Sequence, residues 1–333
     1  MKSVLRETTI SQVSRALVKI REEHGVIALG RVLTLVISTT RGHEEEAIAA
    51  ANDASREHPM RIIVVSGDGT PPDGGGSRLD AEIRVGGDAG ASDVVLLRAY
   101  GEVAADEESL VTGLLLPDAP VIVWWPGRAP AVVSDSSLGR IAQRRITDAA
   151  AQPHPRQAIL DLAASYRAGD TDLAWTRLTR WRTQLAAALD QPPYEPVTAV
   201  EVTGAADSPS VLLLAAWLRL LLQVPVTRAL TTQATGSSGI LSVRLHRPSG
   251  IIELERSIAD VGTLTQPGRP VHELALPRRS LRDCLAEELR LLDADTLFGD
   301  VIRTGAALLS DDARRVPDDG SAAHLDAGIP VLQ

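Results

Sequence analysis

GRIAQRR, residues 139–145, brings Arg140, Arg144 and Arg145 together in a chain that is otherwise acidic, with Asp148 close behind. Guanidinium groups hold phosphate or carboxylate through paired hydrogen bonds. On a helix Arg140 and Arg144 would share one face, giving either an anion clamp or a solvated face with local ion pairs. A second place for such chemistry is HPMR, where His58 stands at a helix-to-strand joint before Pro59, and Arg61 opens the strand. His58 reads there as a ligand contact or as a turn residue bonding local backbone. In VTGAADSPSV, residues 202–211, a strand end runs through small residues into a helix start with Ser208 as its cap and Pro209 first in the helix. Free N–H groups at such a start can hold an anion; Asp207 at its mouth opposes one. His58, Arg61, Arg140, Arg144, Arg145 and Ser208 are thus the candidates for anion or ligand binding.

The tryptophans form a second set. Aromatic residues make up only 3% of the chain, yet Trp124 and Trp125 stand side by side at the end of APVIVWW, before a Pro-Gly-Arg128 turn. A strand sends neighbouring side chains to opposite faces, so one ring is expected under helices and the other against a partner. Trp175, Trp181 and Arg182 follow in DLAWTRLTRWR. Tryptophan and arginine are the residues that most often carry protein interfaces. Trp124, Trp125, Arg128, Trp175, Trp181 and Arg182 are accordingly the candidates for partner binding, with burial between layers as the alternative for the rings.

Much chemistry is excluded. The sequence contains no HExxH, no GxSxG, no phosphate loop ending in lysine and no GxGxxG after its first buried strand. Lys2 and Lys19 are its only lysines, which removes a Schiff-base lysine deeper in the chain. Cys284 is the single cysteine, so neither an internal disulfide nor a cysteine-built zinc site can form. The seven histidines have no metal spacing. No catalytic residue, metal or cofactor is therefore assigned. A net charge of -9 and a pI near 5.3 argue against nucleic acid as a general partner. The start lacks the apolar stretch of a signal peptide. The most apolar run, residues 211–226, is interrupted by Arg219 and reaches Pro225, short of a membrane span. A cytoplasmic chain is the expectation.

These residues must be carried by an α/β framework. Residues 10–25 repeat apolar positions at helical spacing; 30–39 and 60–67 are β-branched apolar runs, and 43–58 between them is helical with acids in its first turn. That is a right-handed βαβ unit of a parallel sheet. Strands over DVVLLRAYG and APVIVWW flank a helix over EESLVTGLLLP, and LDAEIRVGG reads as a strand at the sheet margin. Residues 137–152 remain open between a helix and a short strand; 155–168 and 172–189 read as helices. After QPPYEP comes a second strand–helix–strand pass, then a hairpin of ILSVRLHR and IIELERSI, a strand over PVHELALP and closing helices. The expected architecture is two α/β domains, 1–190 with a largely parallel sheet and 191–309 with a mixed sheet, helices on the faces. The acidic tail 310–333 is expected to be loose. DGTPPDGGGS, GGDAGASD and TTQATGSSG read as loops.

Taken in order, HPMRIIVV, LLLPDAPVIVWWPG, RIAQRRITDAA and DLAWTRLTRWR resemble the actinobacterial glucose-6-phosphate dehydrogenase assembly protein family, OpcA, and LRDCLAEELRLLDADTLFGDVI is similar to that family's C-terminal domain. The resemblance implies an accessory protein of the oxidative pentose phosphate pathway, with glucose-6-phosphate dehydrogenase as partner and no catalytic residues to carry over. A thiol-redox link belongs to cyanobacterial relatives, whereas Cys284 here stands alone. The competing reading from the residues is a sugar-phosphate or nucleotide-binding domain that uses the carboxyl edge of the sheet and the arginine cluster.

Overall fold

LTLVIST, MRIIVVSG, DVVLLRAY and VIVWW are continuous apolar runs, and such runs belong in a parallel sheet covered on both faces. The computed structural model, which describes residues 2–23, 32–67, 75–85, 92–231 and 239–309, places all four at the centre of one sheet. In chain order the first sheet comprises β1 (Lys2–Leu5), β2 (Leu33–Thr39), β3 (Met60–Gly67), β4 (Arg78–Arg84), β5 (Asp93–Tyr100), β6 (Val121–Trp125), β7 (Arg144–Thr147) and β8 (Asp170–Asp172). They lie in the order β1-β4-β5-β3-β2-β6-β7-β8. The six from β5 to β8 are parallel, and counted along the chain they lie 3-2-1-4-5-6. That is the strand order of doubly wound dinucleotide-binding sheets, with its switch point between β2 and β6. β4 and β1 extend the sheet antiparallel.

Helices α1 (Ile10–Glu23), α2 (Glu44–Ala54), α3 (Glu107–Thr112), α4 (Ser137–Ile141), α5 (Pro155–Ser165), α6 (Leu173–Thr176) and α7 (Thr179–Leu189) accompany these strands. The sheet's alternation splits its core in two. Leu35, Ile37, Ile62, Val64 and Ile122 face α2, while Val36, Ile63, Val65 and Val123 belong to the core shared with α1, α3 and α7. Residues 137–152, open in the sequence, resolve into α4 followed by β7. Arg140 therefore rides on a helix and Arg144 on a strand, and the shared helical face expected of them is not formed. The helix expected over 172–189 is two helices joined by a tightened turn, where Leu178 N–H reaches Trp175 C=O at 2.9 Å.

The second sheet is built from β9 (Ala199–Ala205), β10 (Val226–Thr231), β11 (Ile240–Arg247), β12 (Gly250–Ile258), β13 (Val261–Thr265) and β14 (His272–Ala275), in the order β10-β9-β11-β12-β13-β14. β9 and β10 are parallel, linked through α8 (Pro209–Leu222), and the rest is an antiparallel meander. One row of apolar residues, Val202, Val243, Leu254 and Leu264, crosses four strands in register and is buried. The next row on the other face, Glu201, Arg244 and Glu253, is polar and partly exposed. α8 is apolar nearly all round because it is enclosed, with Val211 to Leu218 buried. Among the described residues no helix is long and apolar enough to cross a membrane.

After the meander the chain leaves the second sheet. α9 (Leu281–Glu288) packs on α2, over the first sheet; α10 (Thr296–Asp300) and a π-helical turn at Val301–Gly305 follow, and the turn packs on α8. The glycine-rich stretches at 68–74, 86–91 and 232–238 and the tail from 310 lie outside the described residues.

Candidate functional site

In a sheet of this strand order a dinucleotide lies beyond the carboxyl ends of β2 and β6, its pyrophosphate on the first turn of the helix after the first parallel strand. Here that turn is Thr39-Thr40-Arg41-Gly42-His43, leading into Glu44-Glu45-Glu46. The three carboxylates suit the positive end of α2 and oppose a second anion there. Glu44 is buried and fills the turn: its Oε2 accepts the Gly42 N–H at 2.6 Å and its Oε1 accepts the Ser66 hydroxyl at 2.8 Å. Arg98 approaches the same carboxylate at 3.7 Å. Beside it the Ser38 hydroxyl donates to Glu107 at 2.7 Å, and burial raises the Glu107 pKa above the ordinary glutamate value. The residues present do not fit a pyrophosphate: the amide that would face it is already bonded to the chain's own carboxylate.

The tryptophan pair also sits at this edge, and the structure corrects what was expected of it. Trp124 packs in the α2 core and Trp125 in the opposite core; they are 0% and 2% exposed. Alternation does divide the rings, but helices cover both faces, so neither is left for a partner. Trp175 and Trp181 are buried too. Trp175 donates its indole N–H to Asp295 at 2.8 Å, and the Arg182 guanidinium lies 3.7 Å over its ring. Of the six residues nominated for a partner, only Arg128 is exposed, with Arg182 half-buried.

The arginine clamp is likewise corrected. On β7, Arg144 and Arg145 point to opposite faces, and both are buried and bonded within the chain. Arg144 pairs with Glu288 at 2.6 Å and donates to the Leu291 and Asp293 carbonyls. Arg145 pairs with Asp170 and donates to the carbonyls of Ala142 and Ala168. They join β7 to α9 and to β8 rather than waiting for a ligand. Arg140 is exposed and reaches Glu108 at 3.3 Å. Arg61 is buried and donates to the Leu114 carbonyl at 2.6 Å. His58 is half-buried at the mouth of β3. Ser208 lines a cavity that none of the other five shares.

That cavity lies at the start of α8. It encloses about 330 Å³ between α7 and the second sheet, walled by Arg177, Trp181, Ser208, Arg256, Arg278 and Arg279, with Asp207 also on its lining. Ser208 caps α8, accepting the Val211 N–H at 3.4 Å, and Pro209 occupies the first helical position, both as the sequence suggested. Two of the arginines are neutralised in place. Arg177 forms a bidentate pair with Asp148 at 2.7 and 2.6 Å, and Arg279 pairs with Glu287 at 2.5 Å. Burial works against the Arg177 charge, but the Asp148 carboxylate outweighs it and raises the pKa. Arg256 differs: it donates to the Ile240 carbonyl at 3.2 Å and the Leu276 carbonyl at 3.4 Å and lies 5.5 Å above the Trp181 ring. Burial and the nearby charge of Arg278 lower its pKa. Sequence reasoning reached Ser208 and Trp181 but missed the arginines; the Arg278-Arg279 pair straight after a strand and Pro277 was the available signal.

Fold and site together define a protein on the dinucleotide-binding strand order whose pyrophosphate position is closed by its own glutamate, with a mixed sheet added. The chain belongs to the glucose-6-phosphate dehydrogenase assembly family, OpcA. Residues 51–164 match the glucose-6-phosphate dehydrogenase subunit N-terminal domain, and residues 168–302 match the C-terminal domain of the same subunit. No curated protein matches. Among solved structures, a myo-inositol dehydrogenase from Lactobacillus casei in complex with NAD(H) and myo-inositol is 8% identical, covering 85% of this chain and 95% of that one at a TM-score of 0.47. An inositol dehydrogenase homolog from Azotobacter vinelandii, complexed with NADH and myo-inositol, is 11% identical over 85% of this chain and 90% of that one, at 0.41. Likeness of this extent carries no inference about activity or ligand.

Proposed function

We propose that this protein is a non-catalytic, cytoplasmic accessory factor that binds glucose-6-phosphate dehydrogenase and promotes its assembly or allosteric activation. The observation that carries the reading is the match of both subunit-domain models in tandem, 51–164 and 168–302. The closed turn at Glu44 supports it, because a chain that fills its own cofactor position is suited to recognition rather than hydride transfer. Its mechanism is differential binding: the factor prefers the assembled or active dehydrogenase and shifts that equilibrium. A tenfold enrichment needs only about 1.4 kcal/mol of preference.

Since the tryptophans are internal, the partner must meet another surface. We assign it to the uncovered face of the second sheet, where Glu201, Arg244 and Glu253 form a charged row and Thr203 and Thr263 lie in the adjoining one. The test mixes the purified protein with the dehydrogenase of the same organism and follows co-elution on a sizing column together with the initial rate of NADPH formation. A complex with a changed rate or substrate affinity is expected. Reversing the row with Arg244→Glu should weaken the complex at least about tenfold, the scale of one interfacial charge pair. If both proteins are folded and neither a complex nor a rate change is seen, the accessory reading fails. If the complex forms but Arg244→Glu binds normally, the assigned face is wrong.

A further inference from the structure

β10 ends the second sheet and is bonded to β9 on one side only. The Pro225 and Thr231 carbonyls accept from the Val200 and Ala206 N–H groups. A strand repeats every two residues, so Thr227 and Ala229 face β9 as well. The backbone N–H and C=O groups of Val226, Arg228 and Leu230 therefore point outward. The other sheet edges are blunted. β1 and β14 are each four residues long and carry charges, Lys2 on one and Glu273 on the other, while β8 is three residues long and buried. β10 is six residues, VTRALT, with no proline, no acid and no break in register. Among the described residues its main neighbours are β9 and α8. An open edge of this kind is a template for a strand of another chain.

Charge beside the edge selects which strand it can take. Arg228 stands in register with Val202, in the row on the α8 side, and is half-buried. Among the described residues its guanidinium makes no hydrogen bond or ion pair; burial and the nearby charge of Arg156 lower its pKa, and no carboxylate offsets them. Arg156, in the first turn of α5, is exposed and likewise unpaired among the described residues. It lines an open groove of about 710 Å³ with His154, Gln157 and Leu160; Asp207, the acid on that wall, is already engaged. A charge on the covered side of an edge discourages apolar strands. A second copy centred on the outward groups of β10 would set Arg228 against Arg228, and like charges directly opposite are destabilising. The same arginine favours a strand that arrives with carboxylates. We propose that the free edge of β10 takes an extended acidic segment of another protein as an added strand, its carboxylates meeting Arg228 and Arg156. The outward backbone groups of Val226, Arg228 and Leu230 supply affinity, and the two arginines supply choice. This edge borders the open face assigned above to the dehydrogenase, but the proposal needs no particular partner.

The test uses the full chain without any dehydrogenase, so its result is independent of the accessory reading. The probe is a short, blocked, fluorescent peptide alternating glutamate with valine, titrated at constant ionic strength and followed by anisotropy. One counterpart carries lysine for glutamate, and another has its amides N-methylated. Saturable binding of the glutamate peptide with a Kd below about 1 mM is expected, and both counterparts should bind at least about tenfold more weakly. Arg228→Glu and Arg156→Glu should each weaken it about tenfold or more, the scale of one close charge pair. Leu230→Pro should abolish it, because the ring blocks the edge while the neighbouring bonds to β9 remain. Arg15→Glu on α1 should leave it unchanged. Arg156 is exposed, so its variant keeps the test decisive even if the strand variants fail to fold. A Kd above about 1 mM, or equal binding of either counterpart, overturns the proposal. So does binding that survives Arg156→Glu unchanged. A dimer of the free chain that Leu230→Pro dissolves would place a second copy on this edge and overturn it as well.

Discussion

Replacing Arg144 by alanine should be among the most damaging single changes available in this chain. Its guanidinium, 2% exposed, lies 2.6 Å from Glu288, which is itself 8% exposed, and it also caps the Leu291 and Asp293 carbonyls. Arg144→Ala leaves a buried carboxylate with hydroxyl donors from Thr171 and Thr176 but no counter-charge. Breaking a buried pair from one side costs ~3–5 kcal/mol, a large share of the ~5–15 kcal/mol that holds a typical protein folded. Burial raises the Glu288 pKa, and the Arg144 charge and the Thr176 hydroxyl oppose that rise; with the arginine gone the larger opposing influence is lost and the pKa climbs further. The folded variant then holds a proton that the unfolded chain has already released above its carboxylate value near ~4.3. More protons bound in the folded state means stability that increases as pH falls, so the deficit should shrink between pH 7 and pH 5. Urea unfolding followed by tryptophan fluorescence measures both quantities. The double variant Arg144→Met with Glu288→Leu, which removes the stranded charge, should recover most of the loss. A deficit under ~1 kcal/mol for Arg144→Ala at pH 7, or a double variant as damaged as the single one, would refute the reasoning.

Three further outcomes follow from buried groups. Trp124→Ala should cost ~3–5 kcal/mol in the same unfolding assay, whereas Trp124→Phe should cost much less, because the indole N–H has no hydrogen-bond partner to lose. Burial and the Asp148 charge push Asp172 up to about 7 despite hydrogen bonds from Thr147, Ala149 and Ala174. Its folded form thus keeps a proton that the unfolded chain loses near ~4, and stability should fall as pH rises from that value through 7; Asp172→Asn should flatten the slope, and an unchanged slope would point to another group. Cys284, fully buried on α9, has its thiol pushed up to about 11 by burial. A thiol reagent should therefore label it only after denaturation, and rapid stoichiometric labelling of the native protein would contradict this packing.

The central strands were readable because an apolar run covered on both faces has little alternative to a parallel sheet. β8 was not: Asp170-Thr171-Asp172 has no apolar signal, and it is buried only because Arg145 neutralises Asp170 while a hydroxyl and two amides hold Asp172. β1 and β13 escaped for a different reason, being four and five residues long, too short for a period to show. At the site level, residue type was legible and orientation was not. Trp124 and Trp125 do part to opposite faces, but the sequence near them says nothing of α9, which lies more than 150 residues later and helps close the core that holds Trp124. Arg140, Arg144 and Arg145 were spent on acids 32, 144 and 25 residues away, distances at which pairing leaves no local trace. The α8 cavity is assembled from six separate segments, and its helix cap carried the clearest local signature.

The return of α9 to α2 orders events during synthesis. Leu35, Ile37, Ile62 and Trp124 share a core with Cys284 and Leu285, and Arg144 finds its acid only at Glu288. While the ribosome is still making the second sheet, the first has one face short of its cover and an arginine without its mate. The nascent sheet must wait, partly unsheltered, for the last described helices to emerge. A stop codon or protease cut near residue 280 would therefore damage the first sheet as much as the second, although the two breaks in the chain and in the fold lie far apart in sequence.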